Sequence, residues 1–165
     1  MQKLGSDLVN LRLSKILLWV GPVVTLAVNP WTNYDPISLP KMFALSVFAF
    51  AALGLLISSR QLKFAKIPKL FSVLFTIFLV GLTLSMAFSG APLSQQFWGS
   101  FGRNTGYLTY FSFAIIMICV SLIQRPQFYA ELTKALMWTS IPMTIYCCIQ
   151  FVGRDPIPWS EKGVF

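Results

Sequence analysis

Three glycines and an arginine lie close together in one short segment of this chain, and these residue types suit the binding of an anion. The glycines are Gly99, Gly102 and Gly106, and the arginine is Arg103. Glycine lets the backbone approach a ligand closely, and a guanidinium can hold phosphate oxygens through two parallel hydrogen bonds. A helix beginning at Tyr107 would add amide donors and partial positive charge beside the arginine. The same pattern also fits an ordinary turn at a membrane surface with a snorkelling arginine.

Two further polar segments share a second motif. Residues 29–40 contain Asp35-Pro36-Ile37 and are followed by Lys41, and residues 153–159 contain Asp155-Pro156-Ile157. Each has a tryptophan nearby, at Trp31 and Trp159. Proline stops helices and tryptophan prefers the headgroup region of a bilayer, so a purely structural origin and a functional one both remain open.

The elements that must position these loops are apolar segments separated by short polar stretches. The segments are 13–28, 42–58, 70–88, 107–123 and 135–152. Each approaches the ~20 residues that a helix needs to cross a bilayer. Charged residues are 11% of the chain, against about 25% in an ordinary soluble domain. We therefore predict an all-α, polytopic transmembrane helix bundle of about five spans, formed as a single region by residues 1–165.

The distribution of basic residues predicts the orientation of the bundle. Nine basic residues lie on the side of the N-terminus and four lie on the opposite side. The nine are Lys3, Arg12, Lys15, Arg60, Lys63, Lys66, Lys69, Arg125 and Lys134, and the four are Lys41, Arg103, Arg154 and Lys162. The positive-inside rule then places the N-terminus in the cytoplasm, with loop 1 (29–40), loop 3 (89–106) and the C-terminal tail outside. Topology accounts for the basic excess, so we expect no nucleic-acid partner.

The first apolar segment follows basic residues, as a secretory signal does, but no small-residue cleavage site follows it. We interpret it as a retained anchor. Before it, Leu4, Leu8 and Leu11 recur at helical spacing, which fits either a short helix at the membrane interface or a frayed terminus.

The three cysteines fall inside predicted spans and the chain has no histidine, so we expect neither a metal site nor a disulfide framework.

Three loop motifs together resemble the amino-terminal part of the bacterial O-antigen ligase and O-antigen polymerase superfamily. They are Asp35-Pro36 with Pro40-Lys41; Phe97-Trp98-Gly99 with Gly102-Arg103-Asn104-Thr105-Gly106-Tyr107-Leu108-Thr109-Tyr110; and Asp155-Pro156 with Trp159-Ser160. The resemblance implies a multi-pass enzyme of the GT-C type in the bacterial inner membrane, acting in lipopolysaccharide biosynthesis. Such enzymes move a glycan from an undecaprenyl-diphosphate carrier to an acceptor at the outer face.

The resemblance also implies roles for individual residues. Because the lipid diphosphate is the leaving group, Arg103 is the candidate that binds it, with Lys41 as a weaker one. The candidates that organise the loops are Asp35, Asp155, Gly102 and Gly106. The family uses no metal ion or other cofactor, and no catalytic residue can be assigned from these motifs.

The chain departs from the family in one large respect. Family members continue into later helices and a big external loop that supply essential arginines and, in ligases, a histidine. We therefore expect an incomplete amino-terminal part, inactive by itself and completed by C-terminal helices of the same protein. Ligase and polymerase remain open, as do a non-catalytic membrane scaffold and a transporter fragment. A transporter is favoured less, because its helices would carry more ionisable residues.

Overall fold

The computed structural model describes residues 2–29, 35–59, 68–100, 103–123 and 125–154. These residues form α-helices and no strand, which confirms the all-α class. The helices are α1 (Gln2–Leu26), α2 (Ser38–Ser58), α3 (Lys69–Phe88), α4 (Leu93–Trp98), α5 (Tyr107–Ser121) and α6 (Phe128–Phe151). Three segments are long and apolar enough to cross a membrane, namely Leu8–Leu26 within α1, all of α2 and all of α3. They indicate a membrane protein.

The helix bounds differ from the predicted spans at three places. α1 runs without a break from Gln2, rather than starting near residue 13 behind a separate interfacial helix. α6 begins at Phe128, not near 135. Glu131 and Lys134 interrupt the apolar run, which placed the predicted start too late, but both residues are good helix formers. α4 was not predicted. It is bounded by Pro92, which precedes its first turn, and by Gly99, whose φ of 95° ends it.

The centre of the bundle is the packing of α2 against α1 and α5. Its α2 face includes Ala49 and Ala52, both 0% exposed. Lipid tails are as apolar as the helices, so association in a membrane relies on close packing of small residues. The hydroxyl oxygens of Ser46 on α2 and Ser112 on α5 lie 3.2 Å apart inside this interface. Small side chains thus allow the two backbones to approach each other.

A polar contact joins α1, α6 and the turn that precedes α6 at one end of the bundle. Arg125 Nη1 donates to the buried Ser14 Oγ at 2.7 Å, and Arg125 Nη2 lies 3.2 Å from Glu131 Oε1. Phe128 is 0% exposed and belongs to the same buried cluster as Leu13. The start of α6 is therefore fixed beside the first half of α1.

The outer helices are attached less extensively. α3 contacts α5 but has no buried residue, and α6 packs on α1. A Cβ at Gly21 of α1 would lie 2.8 Å from Leu136 Cδ2 of α6, so those two helices approach closely there. Pro22 and Pro142 lie inside α1 and α6, and both helices continue through them. Most of the α3 surface is left for lipid or for other helices.

Candidate functional site

A side-chain hydrogen bond joins loop 1 to loop 3. Asn104 Nδ2 donates to Asp35 Oδ2, although the two residues are 69 positions apart. Both residues are 9% exposed. A hydrogen bond to a carboxylate is stronger than a neutral one, and a buried carboxylate without a donor is strongly disfavoured. The contact places the two loops at the same end of the bundle.

The second oxygen of Asp35 is also occupied by the protein. Asp35 Oδ1 accepts from the backbone N–H of Ser38 at 2.8 Å, at the first residue of α2. A carboxylate here satisfies one of the free amides of the helix N-terminus and interacts favourably with the helix dipole. Asn29 N donates to Pro36 O at 2.8 Å and closes loop 1 behind it. The carboxylate is engaged in structure rather than presented to a substrate as a general base.

Loop 3 is closed by contact between Gly99 and Gly106. A Cβ at Gly106 would lie 2.3 Å from Gly99 N, and a Cβ at Gly99 would lie 2.5 Å from Thr105 N. These neighbours are backbone atoms, which cannot rotate away as a side chain can. The two glycines therefore permit a crossing of the backbone that other residues would prevent.

Asn104 is held by its backbone as well as its side chain. Its φ is 45°, a left-handed conformation that asparagine tolerates better than most residues. Asn104 N donates to Ser100 O at 3.0 Å, and Thr109 Oγ1 donates to Asn104 O at 2.7 Å. Loop 3 is thus linked to α5 on one side and to loop 1 on the other.

Arg103 lies directly before Asn104 and its side chain is exposed. Its backbone N donates to Ser100 O at 3.1 Å. Within the described residues, the guanidinium has no hydrogen bond or ion pair. An arginine fixed at its backbone but free at its head can bind an anion from solution.

Aromatic side chains lie next to this polar end. The ring centroids of Phe43 on α2 and Trp98 on α4 are 6.2 Å apart, and those of Phe97 and Trp98 are 5.2 Å apart. Tyr107 stacks on Phe111 at 5.8 Å. Tryptophan and tyrosine favour the boundary between lipid and water. Aromatic side chains at the same end of the bundle as an exposed guanidinium suit a ligand with an anionic head and an apolar tail.

The structure brings together only some of the predicted site residues. Asp35, Arg103 and Gly106 lie in the two joined loops, and Lys41 is half-buried in the first turns of α2. Gly102 and Asp155 lie outside the described residues. The functional roles assigned to all six stay predictions. Asn104 was not singled out, because no local pattern reveals a partner that far away in the chain.

Comparison with known proteins identifies no relative of this chain. No protein-family model, curated protein or solved structure matches the chain. The chemistry of the site must therefore be inferred from its own residues. Within the described residues, no group of three or more His, Cys, Asp or Glu side chains is placed to hold a metal ion.

We predict that Gly106→Ala destabilises the protein, because the added Cβ would overlap backbone atoms of Gly99, Trp98 and Phe97. The expected loss in the free energy of unfolding is about 1–3 kcal/mol. Gly81→Ala in α3 is the control, since its Cβ would meet nothing within 4 Å. Thermal unfolding in detergent compares the two. Equal unfolding temperatures for both variants would contradict the backbone crossing.

Proposed function

We propose that this chain is the amino-terminal membrane part of an O-antigen ligase-like glycosyltransferase. In this proposal the complete protein transfers a glycan from an undecaprenyl-diphosphate carrier to an acceptor at the outer face of the bacterial inner membrane. The observation that carries the proposal is the Asp35–Asn104 hydrogen bond. It joins two of the three motif-bearing loops at the end of the bundle where the Arg103 guanidinium is exposed.

The proposed chemistry follows from the leaving group. Cleavage of the glycan from its carrier leaves negative charge on the lipid diphosphate, and a fixed cation that strengthens its contact as this charge develops lowers the barrier. Arg103 supplies the planar fork that matches phosphate oxygens. Lys41 is the second candidate cation. The aromatic side chains around Trp98 would lie against the isoprenoid chain, as their place beside the polar loops favours.

The proposed topology has five spans formed by α1, α2, α3, α5 and α6. The hydrogen bond between loops 1 and 3 supports this alternation, because it requires both loops to lie on the same side. The Arg125 contact with Ser14 supports it at the other end. The positive-inside bias then assigns that other end, with the N-terminus, to the cytoplasm.

Two other classes of protein remain as alternatives. A non-catalytic membrane scaffold is compatible with the helices but assigns no role to a free arginine. A transporter fragment is less favoured, because α5 carries no charged residue and those of α2, α3 and α6 lie in the first two turns of each helix; only α1, with Arg12 and Lys15, carries charge further along its span. Glycan transfer by the unaltered complete protein separates the proposed enzyme from both.

The topology predicts which loops an impermeant thiol reagent reaches in intact cells. The probes are Ser94→Cys in loop 3 and Gln61→Cys between α2 and α3, each in a chain whose three native cysteines are replaced by serine. We expect labelling of the Ser94 probe alone, and of both probes after the cells are permeabilised. Labelling of the Gln61 probe alone in intact cells would reverse the orientation.

The proposed function predicts that Arg103→Ala in the complete protein lowers the rate of glycan transfer. The expected loss of transition-state stabilisation is about 2–4 kcal/mol. Arg103→Lys restores only part of the rate, because an ammonium lacks the planar fork. The assay is transfer from purified undecaprenyl-diphosphate-linked glycan in liposomes, at equal protein level.

Arg12→Ala is the matched control, because Arg12 is also exposed but lies on α1 at the opposite side in the proposed topology. Its rate should equal that of the unaltered protein. Normal transfer by Arg103→Ala and Arg103→Lys would refute the proposed role of Arg103, whereas no transfer by the unaltered complete protein would favour the scaffold.

A further inference from the structure

We propose that Asp35 and Asn104 form a positioning pair that sets the location of Arg103, so that affinity for the lipid diphosphate depends on a contact between loops 1 and 3. The inference rests on the proposed function, since it assigns the pair a role at that same site. Neither residue is expected to touch the substrate. Each acts through the arginine that precedes Asn104.

The first step is that the contact has a defined direction. Asp35 accepts at both oxygens, from Ser38 N–H and from Asn104 Nδ2, while Asn104 is the donor between the loops. Both side chains are 9% exposed, so water has little room to replace a lost partner. Removing the donor leaves a buried carboxylate oxygen unpaired, and this costs more than the bond contributes when formed.

The second step connects the pair to the guanidinium. Arg103 N and Asn104 N both donate to Ser100 O, at 3.1 and 3.0 Å, so the two residues share one turn. The Arg103 head group has no bonding partner among the described residues. Its location is therefore set by the backbone of this turn, which the Asn104 side chain fixes to loop 1. A displacement of about 1 Å in a binding group costs a large part of its effect.

The third step is that the aspartate and the asparagine can exchange positions without added backbone strain. Asp35 has φ 32° and Asn104 has φ 45°, and aspartate and asparagine are the residues that tolerate this region best after glycine. In the double variant Asp35→Asn with Asn104→Asp, the amide at position 35 donates to the carboxylate at position 104. The amide oxygen at position 35 still accepts from Ser38 N–H. The single variant Asn104→Asp instead places two carboxylates against each other, which repel.

The experiment measures KM and kcat of the complete protein for undecaprenyl-diphosphate-linked glycan in liposomes. We expect Asn104→Asp to raise KM by about tenfold or more. The double variant should return KM to within about threefold of the unaltered protein, since it restores the hydrogen bond. A purely structural role would lower the amount of active protein, and hence the apparent kcat, without changing KM.

Any of three results would contradict the proposed positioning pair. The double variant could have the same KM as Asn104→Asp, Asn104→Asp could change kcat alone, or the double variant could fail to fold in the membrane. Thermal unfolding in detergent reports the last of these. Arg103→Ala, measured in the same assay, separates this inference from the proposed function. An unchanged KM and kcat in Arg103→Ala refutes the proposed role of Arg103, and no transfer by the unaltered protein refutes the proposed function. A raised KM in Arg103→Ala without rescue by the double variant refutes the positioning pair alone.

Discussion

A buried carboxylate needs hydrogen-bond donors, and this requirement at Asp35 determines how the end of the bundle formed by loops 1 and 3 is built. The donors come from the first turn of α2 and from Asn104 in loop 3. Meeting both at once fixes loop 1 over the start of α2 and draws loop 3 against it. The backbone crossing at Gly99 and Gly106 then shapes the rest of loop 3. The guanidinium of Arg103 is exposed at this end of the bundle, and among the described residues it has no hydrogen-bond or ion-pair partner.

Different interactions stabilise the two ends of the bundle and its middle. At the opposite end, Arg125 bridges Ser14 and Glu131. Between the ends, α1, α2 and α5 associate through small side chains such as Ala49 and Ala52. A membrane interior leaves little room for charged groups. The charged residues of α2, α3 and α6 accordingly lie in the first two turns of each helix, and we expect a site for an anionic ligand where two loops meet.

Sequence patterns predicted the parts of the fold that depend on composition. Apolar runs located α2, α3 and α5 closely, because burial in lipid requires continuous hydrophobicity. The start of α6 was missed, since Glu131 and Lys134 hide a helix from a hydropathy criterion. The six residues of α4 were too few for a periodic signal. The partner of Asp35 was beyond reach, because a hydrogen bond across 69 residues is set by packing of the whole bundle. Arg103 was predicted as a candidate from its glycine-rich surroundings and from the family resemblance, whereas its lack of a partner among the described residues could be seen only in the structure.

The most direct test of the central claim is the binding of undecaprenyl diphosphate to the purified protein in detergent, followed by native mass spectrometry. If the joined loops present Arg103 to a lipid diphosphate, Arg103→Ala should weaken binding by about tenfold or more, and Arg12→Ala should leave it unchanged. Equal affinity of Arg103→Ala and the unaltered protein, or equal weakening by both substitutions, would contradict a diphosphate site at this end of the bundle.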